Sequence, residues 1–250
     1  MDEIVEEITE DHLLGGRVRL AQPAKGHRAG TDAVLLAAAA SVKSGDRVLD
    51  VGAATGAVGL MVAAREKGVR LAFVERAPDL AELCRRNCRE NGVEAAVFVA
   101  DLLDKASRQA AGLHRESADV LLTNPPFLEE GKERISPDRG KAAAHALPAG
   151  GLEAWLEACL GLLGPKGKFV LIHRADRLAG CLRVLDGSLG GIGLRFVHPS
   201  ADKPAIRVLI SGIKGSRAPL QVLPPLILNG PDGRFTPQAQ ALHAGEAALS

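Results

Sequence analysis

Several residue types and patterns are scarce in this chain of 250 residues, and each shortage excludes a class of protein. There is no Tyr, one Trp and six Phe, which excludes an extended aromatic platform for stacking single-stranded nucleic acid. The longest apolar run near the N-terminus covers eight residues, 33–40, far short of the ~20 that a membrane span needs. The chain opens on a run rich in acids, the opposite of a signal-peptide start. We therefore expect a cytoplasmic protein with no membrane partner.

Charge and cysteine content exclude two further classes. The net charge is +1, from 31 basic and 30 acidic residues, so a strongly basic nucleic-acid coat is excluded but a local basic face is not. The cysteines Cys84, Cys88, Cys159 and Cys181 form no pair of CxxC motifs and have no His at ligand spacing. Cys84 and Cys88 lie one helical turn apart, which favours small buried thiols. We predict reduced cysteines and no metal site.

What is present is an alternation of strand-like and helix-like segments. Residues 12–22 predict a short hairpin around a Gly-Gly turn, and residues 31–42 predict a helix with Thr31 or Asp32 near its cap. The alternation that follows is typical of βαβ units in a mostly parallel sheet with helices on both faces. Predicted strands occupy 48–52, 71–75, 95–100, 118–123 and 168–173, and predicted helices 57–67, 79–91, 151–163 and 176–187.

The end of the chain departs from this alternation. Segments 194–199 and 205–213 have no helix between them, so we expect them to pair antiparallel at one edge of the sheet. Residues 220–228 add an extended piece, and Thr236 and Pro237 predict the start of a terminal helix. We predict one domain over 1–250, made of a hairpin and helix (1–43), a core (44–215) and a C-terminal extension (216–250).

The segment 48–60, VLDVGAATGAVGL, reads as a strand, a turn of small residues and the start of a helix. Gly52 and Gly56 permit backbone conformations that side chains forbid, so this turn is suited to wrap around a cofactor at the carboxyl end of a strand. Glu75 ends the next strand, where an acid can accept hydrogen bonds from both ribose hydroxyls. A glycine loop alone also serves as a tight turn between a strand and a helix.

The dinucleotide fingerprint GxGxxG fails here, because Ala54 and Ala57 stand where its second and third glycines belong. The loop instead resembles the DxGxGxG loop of class I methyltransferases, which bind S-adenosylmethionine. Asp50, Gly52 and Gly56 match it, while Ala54 replaces the middle glycine. The resemblance implies an α/β, Rossmann-like fold with a seven-stranded, mostly parallel sheet and an antiparallel edge strand. It also implies cofactor contacts after the second and third strands of the core, at Arg76, Asp101 and Leu102.

Asn124-Pro125-Pro126-Phe127 follows the predicted strand ADVLLT directly. The two prolines fix the backbone, so the Asn124 side-chain oxygen and the Pro125 carbonyl can both accept hydrogen bonds from one exocyclic NH₂. This turns the nitrogen lone pair toward a methyl donor, while Phe127 offers a flat face to a planar group. Methyl transfer from a sulfonium is an in-line displacement, so positioning and electrostatics carry most of it without a strong base. The alternative is a simple Asn-Pro turn.

The NPPF motif resembles that of the (D/N/S)PP(Y/F) amino methyltransferases. More narrowly, the chain resembles the bacterial tRNA adenine-N6 methyltransferases that act on position 37 of valine tRNA. This resemblance implies S-adenosylmethionine as cofactor and a tRNA adenine as substrate, and it places Arg28, Thr31 and Asp32 at the methionine end of the cofactor. On chemistry alone, Thr31 and Asp32 equally well cap a helix. The segments that carry the family resemblance are 8–39, the loop within 48–60 (called the cofactor loop below), NPPF, 203–215 and 224–245.

A nearly neutral protein that binds RNA must concentrate its positive charge. Basic residues gather in three segments, and the middle one belongs to a stretch of about twenty residues without periodicity, which favours a functional loop. Together they predict contacts with several phosphates. The predicted RNA-contacting residues are Arg17, Arg19, Lys25, Lys132, Arg134, Arg139, Lys141, Lys203, Arg207 and Lys214.

Other functions compete with this hypothesis. NPPF also suits N2-guanine methylation of ribosomal RNA, and the related NPPY suits glutamine side chains of release factors. Phe127 in place of Tyr, and the absence of a separate helical N-terminal domain, count against the glutamine reaction. The missing third glycine of GxGxxG argues against a Rossmann dehydrogenase. The intact Asn124 and Phe127 argue against a cofactor-binding protein that has lost catalysis.

Overall fold

The computed structural model describes residues 7–25, 28–126 and 151–249, and its elements follow the predicted alternation. The strands are β1 (Ile8–Leu13), β2 (Val18–Pro23), β3 (Arg47–Val51), β4 (Arg70–Glu75), β5 (Ala95–Val99), β6 (Ala118–Thr123), β7 (Leu163–Arg174), β8 (Leu189–His198), β9 (Arg207–Lys214), β10 (Gln221–Val222) and β11 (Leu226–Ile227). The α-helices are α1 (Thr31–Ala39), α2 (Ala57–Arg65), α3 (Pro78–Glu90), α4 (Lys105–Ala110), α5 (Gly151–Leu162), α6 (Leu178–Leu185) and α7 (Pro237–Ala244).

The central sheet confirms the α/β prediction, but in the described residues it has nine strands instead of the predicted seven, because the two-residue strands β10 and β11 both pair with β8. Its strands are ordered β10-β8-β9-β7-β6-β3-β4-β5, and β11 also pairs with β8. All neighbouring strands from β7 to β5 run parallel, whereas β9 pairs antiparallel with both β7 and β8, as the absence of a helix between the last two long strands predicted. Because the parallel strands end at one edge, the residues after β3, β4, β5 and β6 lie along the same side of the molecule.

Alternate residues of each strand feed two separate cores. In β3, Val48 packs with α1, α2 and α3 on one face, while Leu49 and Val51 pack with α5 and α6 on the other. This is the period of two that a sheet covered on both faces requires. The terminal helix α7 joins the first core, so the C-terminal residues complete the layer that contains α1.

The remaining sequence predictions hold with local differences. The hairpin β1–β2 forms, and Thr236 caps α7 by accepting a hydrogen bond from the Ala239 amide at 3.2 Å. Helix α4 was not predicted, because it is only six residues long and buries none of them, so it carries no hydrophobic period. All four cysteines are buried and free. No helix within the described ranges is long and apolar enough to cross a membrane.

Candidate functional site

The loop after β3 has three residues in the left-handed region. Gly52, Ala54 and Gly56 have φ of +74°, +48° and +87°. For Ala54 this conformation costs about 1–2 kcal/mol, because its Cβ crowds the following carbonyl. The Ala54 amide donates to Glu75 Oε2 at 2.8 Å, which holds the strained residue in place. The backbone therefore follows the same type of path that a middle glycine would permit.

Glu75, at the end of β4, is only 9% exposed and fixes the cofactor loop. Besides the Ala54 amide, which binds Oε2, its carboxylate accepts the Ala77 amide at Oε1 over 2.8 Å. A carboxylate has about four lone-pair sites, so two remain for a ligand such as a diol. The structure thus places Glu75 against the loop, and its contact with ribose hydroxyls stays a prediction.

The Asp50 side chain is buried and bonds to the protein backbone. It is 2% exposed and accepts the Gly59 amide from the first turn of α2 at 2.9 Å. Burial, against the opposing hydrogen bond from Gly59 and with a smaller contribution from the charge of Glu75, raises the pKa of this carboxyl to about 7. Asp50 therefore closes the loop between β3 and α2.

The residues after β5 form a compact turn next to Arg76. Asp101 Oδ1 accepts the Leu103 amide at 2.9 Å, and its Oδ2 lies 3.9 Å from Arg76 Nη1. The Asp101 side chain is about two-fifths exposed, so it can also reach a ligand. Leu102 is buried in the second core, which leaves only its backbone for a cofactor. The pairing brings the predicted residues after β4 and β5 together.

Arg28 and Asp32 are engaged by the protein itself. Arg28 Nη2 binds Asp11 Oδ2 at 2.6 Å, and its Nη1 donates to Thr9 and to the Pro23 carbonyl at 2.6 and 2.9 Å. Arg28 therefore braces the hairpin just before α1. Asp32 Oδ2 accepts Arg207 Nε from β9 at 2.9 Å.

The cap of α1 differs from the prediction. Gly30 occupies the N-cap position, and Thr31 is already the first helical residue. No side chain caps this end of the helix. The predicted position of Thr31 and Asp32 near the cap is confirmed, but neither side chain caps the helix, and Asp32 bonds instead to Arg207 of β9. Their predicted place beside the cofactor stays a prediction.

Asn124 lies directly after β6, at the edge where the cofactor loop lies. Its Oδ1 is fully buried and accepts no hydrogen bond from any described residue. Pro125 is buried and Pro126 half-buried, so the chain after Asn124 is both conformationally fixed and packed. Phe127, the last residue of the predicted motif, lies outside the described residues.

Two residues that the sequence analysis did not assign to the site connect its two halves. Thr123 Oγ1 donates to the Val51 carbonyl and accepts the indole N–H of Trp155, each over 2.9 Å. Trp155 lies in the segment 151–163, which was predicted only as a helix. Its pairing with Thr123 is long-range, so no local sequence signal reveals it.

A second missed pair ties the hairpin to the cofactor loop. Asn87 of α3 is fully buried, accepts the Ala21 amide at 2.8 Å, and donates to the carbonyls of Ala21 and Thr55 at 2.9 Å each. Asn91, one turn later, accepts the Arg19 amide at 2.9 Å and donates to its carbonyl at 2.7 Å. The two amides bind β2 as a neighbouring strand would, and Asn87 also reaches the loop.

The predicted RNA-contacting residues fall into two described groups. Arg17 donates to the carbonyls of Ala244 and Gly245 at the end of α7, and Lys214 donates to the carbonyls of Leu160 and Leu163. Arg17 and Lys214 thus bind backbone carbonyls of the protein, and Arg207 binds the carboxylate of Asp32. Arg19, Lys25 and Lys203 are not buried, and Lys132, Arg134, Arg139 and Lys141 lie outside the described residues.

This chain is similar to several known methyltransferases. The methyltransferase small domain matches residues 28–156, just over half of the chain. The tRNA1(Val) (adenine(37)-N6)-methyltransferase of Erwinia tasmaniensis is 32% identical over 219 residues, 84% of this chain and 83% of that protein. The protein of the same name from Dyadobacter fermentans is 34% identical over 146 residues. That match covers 58% of this chain and 58% of the Dyadobacter protein, so it spans less than two thirds of that relative.

A solved structure agrees over a longer stretch. Atu636 from Agrobacterium tumefaciens, described as a predicted O-methyltransferase, is 30% identical with a TM-score of 0.72, and the alignment covers 87% of this chain and 98% of that one. This chain is therefore similar to methyltransferases along most of its length. The similar region includes the left-handed loop after β3 and the acids that follow it. This chain belongs to the methyltransferase small domain family.

Proposed function

We propose that this protein transfers a methyl group from S-adenosylmethionine to N6 of an adenine in tRNA, at position 37 of valine tRNA. The observation that carries the proposal is Asn124 Oδ1, a buried acceptor without a donor among the described residues, at the edge that bears the cofactor loop. A buried acceptor left without a partner costs about 1–3 kcal/mol. An incoming amino group that donates to it removes this cost.

The acceptor half of the site orients the amino group. Asn124 Oδ1 accepts one N6 hydrogen and the Pro125 carbonyl accepts the other, which points the lone pair away from both. Phe127 stacks on the base. The new N–C bond forms as the C–S bond breaks, and the extra proton on nitrogen passes to water. Because Pro125 and Pro126 fix the backbone, the orientation exists before the substrate arrives, and this preorganisation lowers the barrier.

The cofactor half of the site fits S-adenosylmethionine, which supplies an electrophilic methyl group when bound. The left-handed loop from Gly52 to Gly56 presents backbone without bulky side chains, and Glu75 beside it keeps lone pairs for ribose hydroxyls. Asp101, held near Arg76, is placed to accept from the adenine amino group. Arg28, Thr31 and Asp32 complete the methionine end.

The substrate is inferred from the relatives and from charge. The Erwinia and Dyadobacter proteins carry a name that specifies adenine 37 of a valine tRNA. In the described residues, Arg19, Lys25 and Lys203 are basic side chains outside the core that can contact phosphates. The basic residues of segment 132–141 complete the proposed RNA surface.

The test is mass spectrometry of nucleosides after reaction with methyl-deuterated S-adenosylmethionine. A valine tRNA transcript should yield deuterated N6-methyladenosine, and the same transcript with guanosine at position 37 should yield none. The Asn124→Ala protein serves as the inactive control. Deuterated N6-methyladenosine from the guanosine-37 transcript would show that the methylated adenine is not at position 37, and it would leave the rest of the proposal standing. Deuterated N2-methylguanosine from ribosomal RNA, or methylglutamine in a release factor, with unlabelled adenosine in tRNA, would replace the proposal with that reaction.

A further inference from the structure

The end of β6 and the end of β3 are joined by a short hydrogen-bonded chain of side-chain groups. Trp155 Nε1 donates to Thr123 Oγ1 at 2.9 Å, and Thr123 Oγ1 donates to the Val51 carbonyl at 2.9 Å. Val51 and Thr123 are also partners in the parallel β3–β6 ladder. The hydroxyl is fully buried, and both its donor and its acceptor capacities are used.

The two strand residues of this chain of bonds each precede a functional residue. Thr123 comes directly before Asn124, the proposed acceptor-orienting residue, and Val51 comes directly before Gly52, the first residue of the cofactor loop. A shift of one strand end against the other therefore changes the distance between the acceptor and the donor halves of the site.

The indole also contacts the cofactor loop directly. A Cβ added at Gly52 would lie 2.9 Å from Trp155 Cζ2 and 3.1 Å from its Cη2, so the benzene edge of the ring packs on the Gly52 backbone. One rigid side chain thus touches both halves, through a hydrogen bond at its pyrrole edge and through packing at its benzene edge. Helix α5, which carries it, is anchored in the second core.

We propose that Trp155, acting through Thr123, is a positioning residue that sets the distance and angle between the bound methyl donor and the amino group held by Asn124. The inference rests on the proposed function. An in-line displacement depends steeply on the alignment of the attacking and leaving atoms, and a misplacement of about 1 Å costs up to about a hundredfold in rate. Trp155 acts on the rate of transfer because it spans the two sites, and it touches neither reacting group.

The test compares variants that remove one hydrogen bond at a time. Trp155→Phe keeps a buried aromatic ring but loses both the N–H and the benzene edge that packs on Gly52, and Thr123→Val keeps the shape of Thr but has no hydroxyl. Thr123→Ser retains the hydroxyl and is the matched control. We expect the single-turnover methylation rate to fall about ten- to a hundredfold in the first two variants and to stay within about threefold of wild type in Thr123→Ser. Cofactor and tRNA dissociation constants should change by less than about threefold in all of them.

A double-mutant cycle separates positioning from general stability. The combined Trp155→Phe and Thr123→Val protein should be no slower than the slower single variant, because both changes break the same connection. Rates that stay at the wild-type value, or that fall additively, would overturn the inference, as would losses in Thr123→Ser equal to those in Thr123→Val. Melting temperatures are measured alongside, and assays are run at least about ten degrees below the lowest of them.

A binding readout that needs no turnover completes the test. Trp155 is the single tryptophan of the chain, so its fluorescence reports on this contact alone. Addition of S-adenosylhomocysteine should shift or quench the emission of the wild-type protein, and unchanged emission at saturation by calorimetry would contradict contact with an occupied loop. A wild-type protein that makes no N6-methyladenosine but shows the fluorescence change refutes the proposed function, and the contact between Trp155 and the occupied loop is kept. Wild-type activity with unaffected variants refutes only the positioning role.

Discussion

The two halves of the site differ in how their polar groups are satisfied. On the cofactor side, Asp50, Glu75 and Asp101 each accept backbone amides of the loops around them. On the acceptor side, Asn124 Oδ1 is buried and has no donor in the described part of the chain. The acids have backbone partners without a ligand, whereas we propose that a substrate amino group supplies the missing partner of Asn124 Oδ1. The difference predicts that acids act mainly on binding and Asn124 on turnover.

The largest effect should come from Asn124→Ala, which removes the acceptor that lacks a partner. We expect turnover to fall by about two orders of magnitude or more, as for the loss of one preorganised transition-state contact. Cofactor and tRNA affinity should change by less than about tenfold, because the contact is made mainly in the transition state. The melting temperature should change little, since Asn124 Oδ1 accepts no hydrogen bond from a described residue.

Methylation kinetics, calorimetry and thermal melting check this prediction together. A variant with near wild-type turnover would show that the NPPF segment is only a turn and would remove the amino-methyltransferase proposal. A lower melting temperature would instead show that Asn124 has a structural partner, and the contrast between the two halves would be lost.

Glu75→Ala should produce the next largest effect, on binding. It removes the carboxylate that holds Ala54 in its strained conformation and that is proposed to bind the ribose. We expect a loss of about 1–3 kcal/mol in S-adenosylmethionine affinity, roughly fivefold to over a hundredfold. Titration calorimetry measures it, with Glu94→Ala, an exposed acid before β5, as control. Unchanged affinity would remove Glu75 from the cofactor site.

Asn87 in α3 and Asn91, the residue that follows its last turn, offer a matched pair. Both bind the backbone of β2, but Asn87 alone also donates to the Thr55 carbonyl in the cofactor loop. We expect Asn87→Ala to weaken cofactor binding about tenfold, and Asn91→Ala to leave it within about twofold while it lowers the melting temperature. Equal effects of the two changes on affinity would show that the hairpin alone transmits the effect.

Asp50 should make the free energy of unfolding depend on pH. Its pKa is raised by burial to about 7 in the folded protein, from 3.8, so the folded state binds the proton more tightly than the unfolded state. Its contribution therefore lowers the free energy of unfolding as pH rises from about 4 to about 7. In Asp50→Asn this decline should be absent. Urea unfolding at pH 5 and pH 8 measures it, and an equal pH dependence in both proteins would contradict the raised pKa.

The smallest effects should come from single basic residues. Lys25→Ala and Lys203→Ala should each weaken tRNA binding a fewfold and reduce the slope of log affinity against log salt by about 1, because each removes one phosphate contact. Lys43→Ala, an exposed lysine before β3 and so at the opposite edge of the sheet, is the control. Binding is measured by filter retention across a salt series, and a flat dependence in wild type would argue against an RNA substrate.

The sequence by itself was sufficient for the order of most elements, and it predicted a chemical role for the residues at the strand ends. Alternating apolar periods predicted the parallel sheet, because a strand buried on both faces and an amphipathic helix differ in their local repeats. The loop with Gly52 and Gly56, the acid Glu75 and the NPPF segment are contiguous or tied to strand ends, so their types and positions indicated a methyltransferase site before any contact was known. Helix α4 was not predicted because it buries no residue and so shows no hydrophobic period.

Tertiary structure alone decided which partners these residues have. Asp32 binds Arg207 across 175 positions, Arg17 binds carbonyls of residues 244 and 245, and Trp155 reaches Thr123 from another element. A sequence states that a side chain can donate or accept, but the donor it meets depends on how distant strands and helices are packed. For the same reason only the folded chain separates Asp50, which is bonded and buried, from Asn124, whose buried oxygen lacks a donor in the described residues.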